Sequence, residues 1–406
     1  MKISSVRRGF VAVATMAVAA TALAACSSSG SGTGTESSSA PASSAESSAP
    51  AETSAAPTET SAGPQQADAG PIGEEPAPIQ DAFKIAFLMP DRGSTRYDQQ
   101  DDPLFEAQIK KLCPNCTVSY QNAETDAQKQ QQQAEAAITN GADLIVLDAV
   151  DTTAAANIVP QIQAAGIKVI TYDRPVPKAT PDFYVSFDNE AIGKLISDDL
   201  VKHLDSMGAD KSAGGVLIVN GSPTDDAAML IKKGIHEGVD PSGYKLLAEL
   251  DTPDWKPENA QNWVTQQITQ FGDQILGVVA ANDGTGGGTI AALQAAGMVN
   301  PIPPVTGNDA EIAAIQRIIR GDQYNTISKP IRIVATATAN AAIELLSGQT
   351  PQATTTLFNT PSQLYIPTVV TKDNVKSVIF DGGIYTYDQV CTADFASACS
   401  TLGITK

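Results

Sequence analysis

From residue 84 onward the chain alternates short apolar runs with amphipathic stretches. Residues 84–89 are apolar almost throughout, as a strand covered on both faces requires. Residues 104–112 carry Leu104, Ile109 and Leu112 at helical spacing. A short strand is predicted at 118–120, then a glutamine-rich helix over 126–139 with Ala134, Ala137 and Ile138 on its apolar stripe. Strands follow at 144–147, 169–172 and 183–187, with a helix over 158–165 between the first two. The rhythm restarts with a strand at 216–219, a helix over 227–236, a strand at 246–250 and a helix over 259–271. It continues with a strand at 276–280, a helix over 285–296, a strand at 305–307, a helix over 312–319 and a strand at 324–327. An alanine-rich helix at 331–346 ends the series. Strands alternating with helices of this length predict α/β layers on parallel sheets. Two such series predict two lobes, each a doubly wound sheet.

The N-terminal segment has a different character. Lys2, Arg7 and Arg8 precede an apolar stretch at 10–22, and Leu23-Ala24-Ala25-Cys26 resembles a bacterial lipobox. Residues 1–25 are therefore expected to be a signal peptide, with Cys26 lipidated as the mature N-terminus. The apolar stretch falls short of the about 20 residues a membrane-spanning helix needs. Arg7-Arg8 also admits twin-arginine export. Residues 26–81 are rich in Ser, Ala, Thr, Pro, Gly and Glu, with Ile72 and Ile79 as the large aliphatics. Such a segment buries too little apolar surface to offset chain entropy and is expected to be a disordered tether, open to O-glycosylation.

Composition narrows the function. The 406 residues predict two to three domains at about 150 each. Twenty-six basic residues against 45 acidic ones give a net charge of −19, which excludes a nucleic-acid partner. The two histidines, His203 and His236, stand in no metal-ligand spacing, which argues against zinc hydrolysis and a Ser-His-Asp triad. No metal and no cofactor are predicted. Beyond Cys26, Cys113 and Cys116 form one close pair and Cys391 and Cys399 another, and in an exported chain they predict two local disulfides. A redox Cys-x-x-Cys and a site holding metal with all four are the alternatives. Gly284-Thr285-Gly286-Gly287-Gly288 lacks the Lys-Ser or Lys-Thr of a phosphate loop and is expected to open a helix.

Ligands of doubly wound sheets bind beyond the carboxyl ends of the strands. The residues there are Asp91 to Tyr97, Asp173-Arg174, Asp188-Asn189, Gly221 to Asp226, Asp251 to Trp255, Asn282-Asp283, Asn308-Asp309 and Ser328-Lys329. Each Asp or Asn alone reads equally well as a helix cap or turn residue. Together, carboxylates that accept and Arg, Lys and Asn groups that donate suit the hydroxyls of a neutral polyol. Tyr or Trp can cover its apolar ring face.

Several segments carry a family resemblance: Ile170-Thr171-Tyr172-Asp173-Arg174, the 183–190 run, Gly221-Ser222-Pro223-Thr224-Asp225, Trp255-Lys256-Pro257-Glu258-Asn259-Ala260, Ala281-Asn282-Asp283 and Lys329-Pro330-Ile331. By their order and spacing the chain resembles the periplasmic sugar-binding proteins of bacterial ABC importers, above all the members that bind D-xylose. The resemblance spans residues 84–385. It implies a two-lobed periplasmic-binding-protein fold of type I with a three-crossing hinge near Asn189, Pro330 and Pro367. Lobe 1 would comprise 82–188 and 330–366, and lobe 2 189–329 and 367–406. It implies sugar contacts from Arg96, Tyr97, Asp173, Arg174, Asp225, Trp255, Asn282, Asp309 and Lys329. Tyr97 stands where the xylose-binding members carry Trp, and Ala227 where they carry a sugar-contacting Asn. The implied protein is a monomeric, non-enzymatic, lipid-anchored receptor on the outer face of the cytoplasmic membrane. It would deliver D-xylose or a related aldose to an ABC permease and its ATPase. A sugar sensor acting through a membrane partner is the alternative, and a secreted glycosidase using two of Asp173, Asp225 and Asp309 is a more distant one.

Overall fold

The computed structural model describes residues 72–299 and 301–406, so the signal segment, Cys26 and most of the tether lie outside the described residues. In chain order β1 (Lys84–Met89), α1 (Asp102–Leu112), β2 (Thr117–Asn122), α2 (Ala127–Thr139), β3 (Leu144–Leu147), α3 (Thr152–Ala164), β4 (Lys168–Tyr172) and β5 (Phe183–Phe187) come first. Then follow α4 (Asn189–Ser206), β6 (Gly215–Asn220), α5 (Asp226–Val239), β7 (Lys245–Asp251), α6 (Pro257–Phe271), β8 (Ile275–Ala280), α7 (Asp283–Ala295) and α8 (Ile312–Arg320). The chain ends with β9 (Asn325–Ser328), α9 (Ile331–Leu346), β10 (Thr355–Leu357), β11 (Thr360–Tyr365), β12 (Thr368–Thr371), α10 (Tyr387–Val390) and α11 (Ala396–Thr401).

The first sheet has seven strands in the order β10-β11-β5-β4-β3-β1-β2, parallel apart from the β10–β11 hairpin. β3 and β5 are buried at every position because helices cover both faces. Phe87 stacks 4.5 Å from Phe105 of α1 and lies 5.6 Å from Tyr172. Each such fully buried side chain contributes about 1.5–3 kcal/mol. The second sheet runs β7-β6-β8, all parallel. Val305 extends it by pairing with Val278 and accepting from the Tyr324 amide at 2.9 Å, which leads on to the antiparallel β9–β12 pair. The chain passes between the two lobes three times: from β5 into α4, from β9 into α9, and from β11 into β12.

The expected strand at 305–307 is only that single bridge. Pro303 and Pro304 cannot donate to a ladder, and the Thr306 hydroxyl takes the ladder's place, bonding both Ala280 N and Ala280 O at 2.9 Å. Helix α4 and strands β10 to β12 have no counterpart among the expected elements. α4 packs backbone-to-backbone on α5: a Cβ on Gly193 would lie 1.9 Å from Ile231 O, and one on Gly234 2.0 Å from Glu190 O. That contact fixes α5, whose N-terminus faces the cleft between the lobes.

The last residues assigned to the tether by composition are docked on the first lobe. Ile79 N donates to Leu112 O at 2.8 Å, and Ile72 O accepts from Gln363 and Tyr365 at 3.2 Å. Ile72 and Ile79 pack on the main core. Cys113–Cys116 and Cys391–Cys399 are both disulfide-bonded. The second closes the C-terminal segment, which shares a small core with Ile315, Ile319 and Val370. Among the described residues no helix is long and apolar enough to cross a membrane, and no cluster of His, Cys, Asp and Glu is arranged to hold a metal.

Candidate functional site

The carboxyl ends of both sheets face one cleft. Arg96, Tyr97, Asp173, Arg174, Asp225, Trp255, Asn282, Asp309 and Lys329, the nine residues singled out from the sequence, all line it. They are joined there by Ser94, Asn189, Ala227, Ile231 and Asn308. The space left between these side chains is small, about 30 Å³. Three of the nine hold left-handed backbone: Asp173 at φ 58°, Trp255 at 57° and Asp309 at 104°. Such conformations cost energy and concentrate at functional loops.

On the first wall, Arg96 bonds Asp101 through two nitrogens, at 2.8 and 3.1 Å, and Tyr172 donates to the same carboxylate at 2.5 Å. Its remaining nitrogen lies 3.5 Å from Asp173 and 4.0 Å from Asp309. Arg174 bonds Asp91 at 2.8 Å and Ala149 O at 3.0 Å, and reaches across to Asp225 at 3.1 Å. Lys329, at a hinge crossing, pairs with Asp309 at 2.8 Å and lies 4.0 Å from Asp173. Burial opposes ionisation of Asp173, but Arg96, Lys329 and Arg174 together hold its carboxyl down to about 2. Asp173 is thus a firm acceptor at any physiological pH, steadied through its carbonyl by Tyr184 and Ser186.

On the second wall the polar residues are tied to helix N-termini. One oxygen of Asp225 caps α5 by accepting from Ala227 N at 2.8 Å, and the other accepts from Trp255 Nε1 at 3.0 Å. Asp225 is a helix cap and lines the cleft at the same time. Burial pushes its carboxyl up, and Arg174 only partly offsets this. Asn282 caps α7 in a reciprocal pair with Thr285. Gly221 makes room for Trp255: a Cβ there would lie 2.1 Å from the indole. Ala227 and Ile231, four residues apart on α5, give this wall an aliphatic patch, with Ala227 at the position where the resembled proteins carry an amide.

The strand-end rule also reaches residues not singled out. Asp148, directly after β3, lies beneath Arg174 with its nearest guanidinium nitrogen at 3.6 Å. Asp91 and Asp101 fix the two arginines. A cavity of about 910 Å³ lies elsewhere, at the amino-terminal edge of the second sheet between Leu204, Met207, Ile275, Met298 and Tyr324. Its walls are largely apolar, and it brings together no comparable set of charges.

Residues 85–350 match the family model described as a periplasmic binding protein domain. The chain belongs to that family. It is 34% identical to the D-xylose-binding periplasmic protein of Escherichia coli over 74% of this chain and 91% of that one. It is 32% identical to the corresponding protein of Haemophilus influenzae over 76% and 92%. The crystal structure of an ABC transporter solute binding protein from Clostridium phytofermentans, with bound β-D-glucose, is similar at 27% identity with a TM-score of 0.68, covering 76% of this chain and 99% of that one. The two-lobed α/β architecture of this periplasmic binding protein is thus the one the sequence pattern predicts.

Proposed function

We propose that the cleft binds a neutral monosaccharide, D-xylose or a related aldose, as the receptor step of an ABC sugar importer. The observation that carries this reading is the donor and acceptor array at the cleft. Three cations, each already paired, face Asp91, Asp101, Asp148, Asp173, Asp225 and Asp309 across both walls, beside Tyr97 and Trp255. An anionic ligand would meet an excess of carboxylates. A polyol can donate to the carboxylates and accept from the cations without adding charge. Arg96, Asp173 and Arg174 contact the sugar from the first lobe, with Tyr97 beside them, while Asp225, Asn282 and Asp309 contact it from the second. Lys329 acts at the hinge and Trp255 covers a ring face. The similar D-xylose-binding and glucose-bound proteins support a sugar ligand. Binding shifts the population toward the closed lobes, and the closed form docks on the permease. No covalent step is involved.

Cys26, lipidated after removal of residues 1–25, holds the protein at the membrane, and the segment that follows gives it reach. A thermal-shift screen of the purified, refolded protein against D-xylose, D-ribose, L-arabinose, D-glucose and D-galactose tests the ligand. At 100 times its dissociation constant, a true ligand adds about 2.7 kcal/mol of stability. No shift with any sugar contradicts the reading. Mass spectrometry of the detergent fraction tests for a diacylglyceryl group on Cys26.

A further inference from the structure

Asp148 is fully buried at the end of β3. Among the described residues neither of its carboxylate oxygens accepts a hydrogen bond. Its one close cation is Arg174, whose Nε lies 3.6 Å away. That same nitrogen lies 3.1 Å from Asp225. Asp148, Asp91 and Ala149 sit on the first wall with Arg174, and Asp225 sits on the second. When the walls part, Asp225 must leave, whereas Asp148 stays.

We propose that Asp148 is a positioning residue for Arg174, and that closure of the walls on a sugar moves Arg174 from Asp148 to Asp225 while Asp148 takes up one proton from solvent. The proposal rests on the cleft binding a sugar as above. With the walls apart, Asp148 is a hydrated carboxylate beside a guanidinium and ionises in the ordinary carboxylate range. With the walls closed it has no donor, and a buried, unbonded carboxylate takes a proton rather than hold its charge. Burial is the dominant influence pushing its carboxyl up, Arg174 and Arg96 oppose it, and Asp173 and Asp225 add to it. Tyr97 and Asp91 compete for the field of Arg174, and Gln130 of α2 reaches only the Asp148 carbonyl.

The closed, sugar-bound form holds one proton more, so affinity falls as pH rises above the ordinary carboxylate range. The fall approaches about tenfold per pH unit wherever a full proton is coupled. The test is calorimetry of the full chain with D-xylose, or with whichever sugar gives the largest thermal shift. It is run at about pH 5, 6 and 7 in buffers of different ionisation heat. Wild type is expected to show buffer-dependent heat equal to a proton uptake approaching one per sugar. Asp148→Asn is expected to bind with a flat pH profile and little uptake. Sugar binding whose heat is independent of buffer overturns the proposal, as does wild-type uptake retained in Asp148→Asn. If that variant does not fold, the wild-type buffer series decides alone. Absence of binding to any sugar overturns the reading beneath it, and the proposal with it.

Discussion

The two walls of the cleft solve the same problem in different ways. The first wall holds its charges internally: Arg96 on Asp101, Arg174 on Asp91 and Ala149 O, with Tyr172 supporting Asp101. Those bonds survive separation of the lobes, so this wall is preorganised. The second wall anchors Asp225 and Asn282 at helix N-termini, where backbone N–H groups and the helix dipole favour an acceptor. The partner that neutralises Asp225, Arg174, comes from across the cleft, whereas Asp309 is paired with Lys329 at the hinge crossing. The first wall therefore supplies fixed charge, and the second wall supplies shape and depends on closure to balance Asp225.

The largest test of that difference is Arg174→Ala. It removes the cross-cleft partner and leaves Asp91, Asp148 and Asp225 with no arginine. Loss of one member of a buried charge pair costs about 2–5 kcal/mol of binding, so calorimetry should show sugar affinity reduced by at least about thirtyfold. Retained affinity would remove Arg174 from the site.

The walls should also answer to pH with opposite sign. Asp173, held down to about 2, stabilises the fold above about pH 4, and that contribution is lost as pH falls toward 2. On the second lobe, burial raises Asp283 to about 7 and Glu311 to about 8. Their folded forms hold more protons than an unfolded chain above about pH 4, so stability falls as pH rises from about 4 to 8. The slope is at most about 1.4 kcal/mol per pH unit for each carboxyl. Denaturation midpoints across this range check it, and Asp283→Asn should flatten the upper part.

Gly193→Ala tests whether the second wall is set by helix packing. The added methyl would press on Ile231 O, costing about 1–3 kcal/mol of stability and displacing α5 with Asp225. Chemical denaturation and sugar affinity should fall together. A smaller effect, about tenfold in affinity, is expected for Trp255→Ala, together with loss of the sugar-induced fluorescence change. An unchanged fluorescence response would assign Trp255 to packing alone.

Much of this was legible from residue pattern because parallel strands buried on both faces read as continuous apolar runs, and their ends then mark the cleft. Arg174 and Asp309 were found in that way. Asp148 obeys the same rule, and only the fold shows Arg174 above it. Sequence does not separate a cap from a cleft residue at Asp225, because it caps α5 and lines the cleft at once. The hairpin β10–β11 and strand β12 are rich in Thr and Ser, Pro361 lies within β11 and Pro367 just before β12, so they show no strand-like apolar run. The docking of Ile72 and Ile79 depends on a groove that only the folded lobe creates.

Calorimetry of wild type, Arg174→Ala and Asn282→Ala with the same sugar shows whether one aldose bridges both walls. One-to-one binding by wild type and strongly weakened binding by both variants, one from each wall, is the expected result. Full affinity in Asn282→Ala, or no heat with any aldose in wild type, would contradict it.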